Sequence, residues 1–399
     1  MTVSKNKVEV VILDDEENVE KAIVSRLPVP MRKNSKAIKP EDIAPMVKEL
    51  GLRAAAVRSS AKRDPKLLPL DTADLFIVDY DLVRAQNEDY LTGETVAYLA
   101  RCYSNCGVIV ALNQFHRQST FDLTLRPQLD SFADLNIAAD DLKNSGLWKH
   151  APWSGYRPWS WPVIPELIDL LEKRIADVAK ADSADRVLEF LGFPASAIER
   201  LPTASLELLG SQESKVERAT LGDIIRSSTL GLRGREATDR KPRPDQDARI
   251  VAARLSAWLN FVLVSQDVLV DAPHLAQRCP SLIGGKLTAS AIGNTCKLGS
   301  NQKAFKAASL TKARFAKSHW FDRPVWFWTE IERERLTSEL QDPWNSVDDR
   351  LVFCEDSSQF KARTSSKAFQ SDLISPYRTR FVSRVAGIDY QPAHRLALA

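Results

Sequence analysis

Asp74-Leu75-Phe76-Ile77-Val78-Asp79-Tyr80-Asp81-Leu82 is the stretch on which the fold turns. The consecutive apolar residues Leu75 to Val78 do not alternate with polar ones, so they read as a short strand covered on both faces. Asp79 leaves that strand at its carboxyl end, where open α/β sheets gather their ligands. A second strand, Val8 to Leu13, runs into Asp14-Asp15-Glu16 before a helical stretch over Asn18 to Leu27. In a doubly wound sheet of order 2-1-3-4-5 the first and third strands are neighbours, which brings Asp14, Asp15 and Asp79 into one hollow. Carboxylates crowded in this way repel each other unless a cation lies between them, and oxygen-only ligands with room for water favour Mg²⁺. Taken alone, the acidic run also reads as a helix start that suits the helix dipole.

The series ILDDEENVEKAI, DLFIVDYDL, TGETVAYLAR and VIVALNQF resembles the receiver domain of two-component response regulators over roughly residues 5 to 178. The resemblance implies a flavodoxin-like, doubly wound, five-stranded parallel sheet that takes a phosphoryl group from a histidine kinase or phosphotransfer protein. It makes Asp79 the acceptor, places Asp14 and Asp15 in a Mg²⁺ site with Asp79, and completes that site with the backbone carbonyl of Asp81. Gly93 stands where the family carries a glycine after its third strand. Two positions depart from the pattern. The family ends its fourth strand with Ser or Thr, whereas Leu112 or Asn113 falls there, and it places a Lys before Pro after the fifth. Arg157, in Tyr156-Arg157-Pro158, is the candidate substitute for that lysine, with Lys143 and Lys149 as alternatives. An arginine fork can pair a phosphoryl group but is not equivalent to an ammonium.

With 399 residues the chain is long enough for at least two cores, and 44% hydrophobic with 27% charged residues is ordinary globular composition. Residues 1–180 read as the receiver-like domain and 181–399 as a mainly α-helical output or interaction domain, with a polar, basic linker or mobile loop over 231–246. Between the first helix and the third strand, a basic loop over Arg32 to Lys36, a short helix over Pro40 to Leu50 and a second strand over Arg53 to Val57 are expected. No apolar run approaches the ~18 residues of a membrane span, and the first residues lack a signal-peptide pattern, so a cytoplasmic protein with no membrane partner is expected. Five scattered cysteines argue against a disulfide framework.

Ser281 to Trp320 contains Lys297, Lys303, Lys306, Lys312, Arg314 and Lys317 but no acidic residue. Such a stretch reads either as a phosphate-contacting surface, with Phe305, Phe315 and Trp320 stacking on bases, or as a solvated face balanced by acidic neighbours. The tryptophans between Gly146 and Pro162 read as packing. No catalytic constellation is legible in the second half. The expectation is therefore a signalling protein phosphorylated on Asp79 that serves an output region with a protein partner. The alternatives are a phosphoryl sink or non-switching interaction module, and a nucleic-acid-binding regulator.

Overall fold

A computed structural model of the chain describes residues 7–82, 91–113, 120–121, 125–127, 130–149, 158–201, 218–230, 243–282, 288–296, 308–333, 349–370, 379–383 and 389–390. Its centre is a five-stranded, all-parallel sheet of β1 (Val10–Leu13), β2 (Ser35–Ile38), β3 (Leu75–Asp79), β4 (Val108–Asn113) and β5 (Leu135–Ala138), in the order β2-β1-β3-β4-β5. This order is compatible with a flavodoxin-like arrangement. Alternation along the strands sorts the helices to the two faces. Val10, Ile12, Leu75, Ile77, Val108 and Val110 pack with Ile23 of α1 (Glu17–Arg26), with Leu27 at its C-cap, and with Ile168 and Leu171 of α4 (Ile164–Val178). The intervening Val11, Phe76, Val78, Ile109 and Ala111 pack with Ile43 and Leu50 of α2 (Pro40–Arg58) and with Val96 and Ala100 of α3 (Gly93–Tyr103).

The second strand corrects the sequence expectation. Arg53 to Val57 lies inside α2, which runs unbroken through Gly51, and the strand is Ser35–Ile38, which begins in the stretch read as a basic loop and runs past its end. Arg53 is held in the helix by a buried ion-pair cluster in which its guanidinium donates to both oxygens of Asp71 at 2.8 Å and meets Glu49 at 3.4 Å.

In the second half the described helices are joined by short strands. This half contains α5 (Leu221–Leu230), α6 (Pro244–Ser265) and α7 (Ala272–Arg278), an antiparallel pair of β6 (Leu269–Asp271) with β7 (Val325–Phe327), and a terminal sheet. The terminal sheet is made of β8 (Leu351–Cys354), β9 (Gln359–Ala362), β10 (Ser366–Gln370) and β11 (Thr379–Ser383), in the order β9-β8-β11-β10. Residues 243–246 of the expected loop belong to the cap and first turn of α6, and 231–242 lie outside the described residues.

Helix α6, at 22 residues, is long and apolar enough to cross a membrane by length and composition alone. Yet 72% of its most apolar window is buried inside the fold, which makes it the central core helix. It packs against α3, α4 and α5. Among the described residues between β4 and β5 there is no helix, and α6 reaches that segment from far along the chain. Arg254 donates to the Ser131 carbonyl at 2.6 Å and lies 4.7 Å over the Phe132 ring, while Arg126 donates to the Asn260 carbonyl at 2.5 Å. One hydrophobic core consequently runs from Val10 and Ile12 through Trp258 and Leu259 to Phe327 and Phe353, across the junction expected near residue 180.

Candidate metal and phosphoryl-acceptor site

The carboxyl ends of β1 and β3 carry the chemistry. Leu13 is in register with Val78, so the residues that follow, Asp14 and Asp79, leave the sheet side by side. Carboxylate oxygens of Asp14, Asp15 and Asp79 lie within 4.8 Å of one another. Asp14 and Asp79 are only 1% and 2% exposed, and Asp15 is half-buried. The Glu16 N–H donates to Asp14 Oδ1 at 2.8 Å, but Asp14 Oδ2 is buried with no hydrogen-bond partner. Burial, opposed by that backbone bond and reinforced by the charge of Asp15, pushes the Asp14 carboxyl up to about 6.

An orphaned buried oxygen is costly, and native structures rarely leave one without a reason. Here three oxygen donors with one orphan match what a hard divalent cation of the Mg²⁺ type takes from a protein, a few carboxylates with the remaining positions left to water and ligand. Asp81, whose backbone carbonyl the family resemblance implies for this site, pairs as a β-bridge with Thr92 and has an exposed side chain.

Gly93 holds the rim together. The N-terminus of α3 sits directly on the backbone of Asp79, so that a Cβ at Gly93 would lie 2.1 Å from the Asp79 carbonyl oxygen. The Gly93 N–H donates to the Tyr80 carbonyl at 2.8 Å, and the Thr92 hydroxyl caps the helix by accepting from the Thr95 N–H at 3.2 Å. Glu94, next in the chain, accepts from the Ser131 hydroxyl at 2.8 Å and the Phe132 N–H at 2.7 Å. It thereby ties the sheet rim to the segment that Arg254 grips from α6.

The position beside Asp79 on β4 is apolar. Register places Leu112 beside Asp79, and Leu112 is buried in the core, with Asn113 following it opposite Ala138. The strand that would deliver a lysine, β5, is followed instead by Ala139, Asp140 and Asp141. Lys143 is exposed and pairs with Asp140 at 3.1 Å, Lys149 is exposed, and Arg157 lies outside the described residues.

The basic stretch divides. Lys297, Lys303, Lys306 and Phe305 lie outside the described residues. Lys312 and Arg314 are exposed, whereas Lys317 pairs with Asp177 at 2.9 Å and lies 3.8 Å over the Phe190 ring. Phe315 and Trp320, read as candidates for base stacking, are buried in the core. The tryptophans behave as packing, with Trp159 and Trp161 buried and Trp153 outside the described residues.

Sequence reasoning missed a second cluster entirely, Asp271, His274, Glu355, Arg323 and Arg380 gathered around Trp159. Its only local signal is Asp271-Ala272-Pro273-His274, an N-cap followed by proline. Among known proteins, no family model, curated protein or solved structure matches this chain. The sheet order and the carboxylate geometry are therefore what a functional reading rests on.

Proposed function

We propose that residues 1–180 form a receiver-like module that binds Mg²⁺ and accepts a phosphoryl group on Asp79 from a histidine kinase or phosphotransfer protein. The observation that carries this reading is the convergence of Asp14, Asp15 and Asp79 around a buried, unpartnered Asp14 oxygen. Asp14, Asp15 and Asp79 would hold the cation, whose part is to neutralise charge on the phosphoryl oxygens. Asp79 acts as nucleophile, its carboxylate oxygen forming a bond to phosphorus as the P–N bond of a phosphorylated imidazole breaks and the nitrogen keeps the electron pair. Gly93 fixes the Asp79 backbone, which holds the carboxylate at the rim.

A second reading, an acceptor that loads without switching, is favoured by Leu112 beside Asp79 and by the span from Arg254 to Glu94 that joins the rim to the central core helix. Binding shifts a conformational equilibrium only by its differential contacts with the two states, and a hydroxyl-to-phosphoryl bond worth roughly 1.5–3 kcal/mol is not offered by leucine. Beryllofluoride with Mg²⁺ tests both readings. Binding to wild type that Asp79→Asn and Asp15→Ala abolish supports the acceptor, and binding that survives both removes it. Unchanged hydrogen exchange in the loop after Asn113 on loading supports the non-switching form, and large new protection there overturns it.

A further inference from the structure

The terminal sheet is joined to the rest of the molecule through a buried cluster of charges. His274, in the first turn of α7, has Nδ1 2.7 Å from Asp271 Oδ1 and Nε2 3.2 Å from Glu355 Oε1. Glu355 directly follows β8, and Arg380 of β11 grips it with two bonds, from Nε at 2.5 Å and from its second nitrogen. Asp271 also accepts from the Trp159 indole and lies 3.7 Å from Arg323, which itself donates to Asp322 at 2.7 and 2.9 Å. Trp159 and Phe353 meet the imidazole edge-on at 4.7 and 5.4 Å. Among the described residues the charged groups around the ring are thus Asp271, Glu355, Arg380 and Arg323, with Asp322 behind Arg323.

A neutral imidazole donates from one nitrogen only, and an ionised carboxylate only accepts. Arg380 holds Glu355 ionised with two bonds, and Asp271 accepts from the Trp159 indole with Arg323 3.7 Å away, so with both carboxylates as acceptors both ring contacts are hydrogen bonds only when the ring carries two protons. We infer that His274 is a buried imidazolium at neutral pH and that it latches the terminal sheet to α7, so that docking of this sheet depends on pH. Burial works against the charge, but the charge and hydrogen bond of Asp271, then those of Glu355, outweigh it and hold the imidazole above its ordinary 6.5. A folded-state value raised in this way contributes stability that is complete below the unfolded value and is lost as pH rises through the folded one.

The full chain with ¹⁵N-labelled histidine tests this directly. Both His274 ring nitrogens should carry protons at pH 7, and a neutral ring there overturns the inference without any variant being needed; His274→Gln serves to assign the signal. Hydrogen exchange of peptides spanning 351–383, corrected for the intrinsic base-catalysed rate, should lose at least tenfold more protection between pH 6 and pH 9 than peptides of β3 and β4. In His274→Gln that protection should be reduced already at pH 6 and flat with pH. Protection of the terminal sheet that tracks the control strands in wild type across the range also overturns the latch.

Discussion

Two buried clusters of charge stand in contrast in this molecule. At the sheet rim, like charges converge and one carboxylate oxygen has no partner; around His274, opposite charges alternate and each carboxylate receives several donors. Burial is common to both. It pushes the Asp14 carboxyl up, whereas charge and hydrogen bonds hold Asp271 and Glu355 below the usual carboxylate range in spite of it. A cluster satisfied from within has no need of a ligand, and one left unsatisfied is where a ligand contributes most. This is why the rim is read as a site and the histidine cluster as a fastening.

The largest effect expected from breaking this contrast is at Glu355. Glu355→Gln leaves Arg380 buried without its countercharge and the His274 ring with Asp271 alone, and removing one partner of a buried ion pair costs about 3–5 kcal/mol. Asp14→Asn, which removes one of three converging carboxylate charges, should cost less than about 1 kcal/mol in metal-free buffer or stabilise the fold. Denaturant midpoints with unchanged slopes measure both. Equal losses in the two variants would show that the clusters do not differ in kind.

Next in size is the response to Mg²⁺. A ligand that binds only the folded state stabilises it by about 2.7 kcal/mol when present at a hundred times its dissociation constant. Wild type should gain this in a Mg²⁺ titration, with Asp14→Asn and Asp15→Ala gaining little and Glu355→Asp gaining as much as wild type above its own baseline. A gain that persists in Asp15→Ala would place the cation elsewhere.

Gly93 and Gly51 sharpen the comparison from the backbone. An added Cβ at Gly93 collides with the Asp79 carbonyl, so Gly93→Ala should cost about 1–3 kcal/mol and weaken Mg²⁺ binding through the displaced rim. Gly51, exposed within α2 and with open space around an added Cβ, should gain about 0.5–1 kcal/mol on change to Ala. Thermal midpoints of the two variants should move in opposite directions.

What the sequence made legible follows from range. The buried strands β1, β3 and β4 are continuous apolar runs, and the acidic residues at their ends are local features, so the rim could be read directly. Strand β2 was hidden because an edge strand of Ser-Lys-Ala-Ile, with one buried residue, has neither the run nor the alternation of a central strand. The helix expected over Pro40 to Leu50 continues to Arg58, and Arg53 in its extension is fixed by Asp71 and Glu49, a contact that local sequence does not reveal. The His274 cluster assembles residues from positions 159 to 380, and no local pattern predicts such an assembly. Leu112 and Asn113 could not be separated by sequence, because only register decides which lies beside Asp79.

The smallest expected effect concerns a cluster between the two extremes. Asp177, on α4, accepts from Lys317 at 2.9 Å, His319 at 3.1 Å and the Trp320 indole at 2.9 Å, all through one oxygen. It is satisfied like the histidine cluster but partly open to solvent, at 22% exposure. Burial raises its carboxyl and the bonds from Trp320, Lys317 and His319 more than offset this, holding it below the ordinary 3.8. The sign is opposite to that of His274: a depressed carboxylate contributes stability above its unfolded value, lost as pH falls through the folded one. Solvent screening limits the contribution, so Asp177→Asn should cost about 1 kcal/mol or less at pH 6. Denaturant midpoints of wild type and variant should converge as pH is lowered below 3.8, while those of wild type and His274→Gln should converge only as pH is raised. If the Asp177 difference stays constant down to pH 3, the anchoring of Lys317, His319 and Trp320 owes nothing to the charge of Asp177 and rests on packing of Trp320 alone.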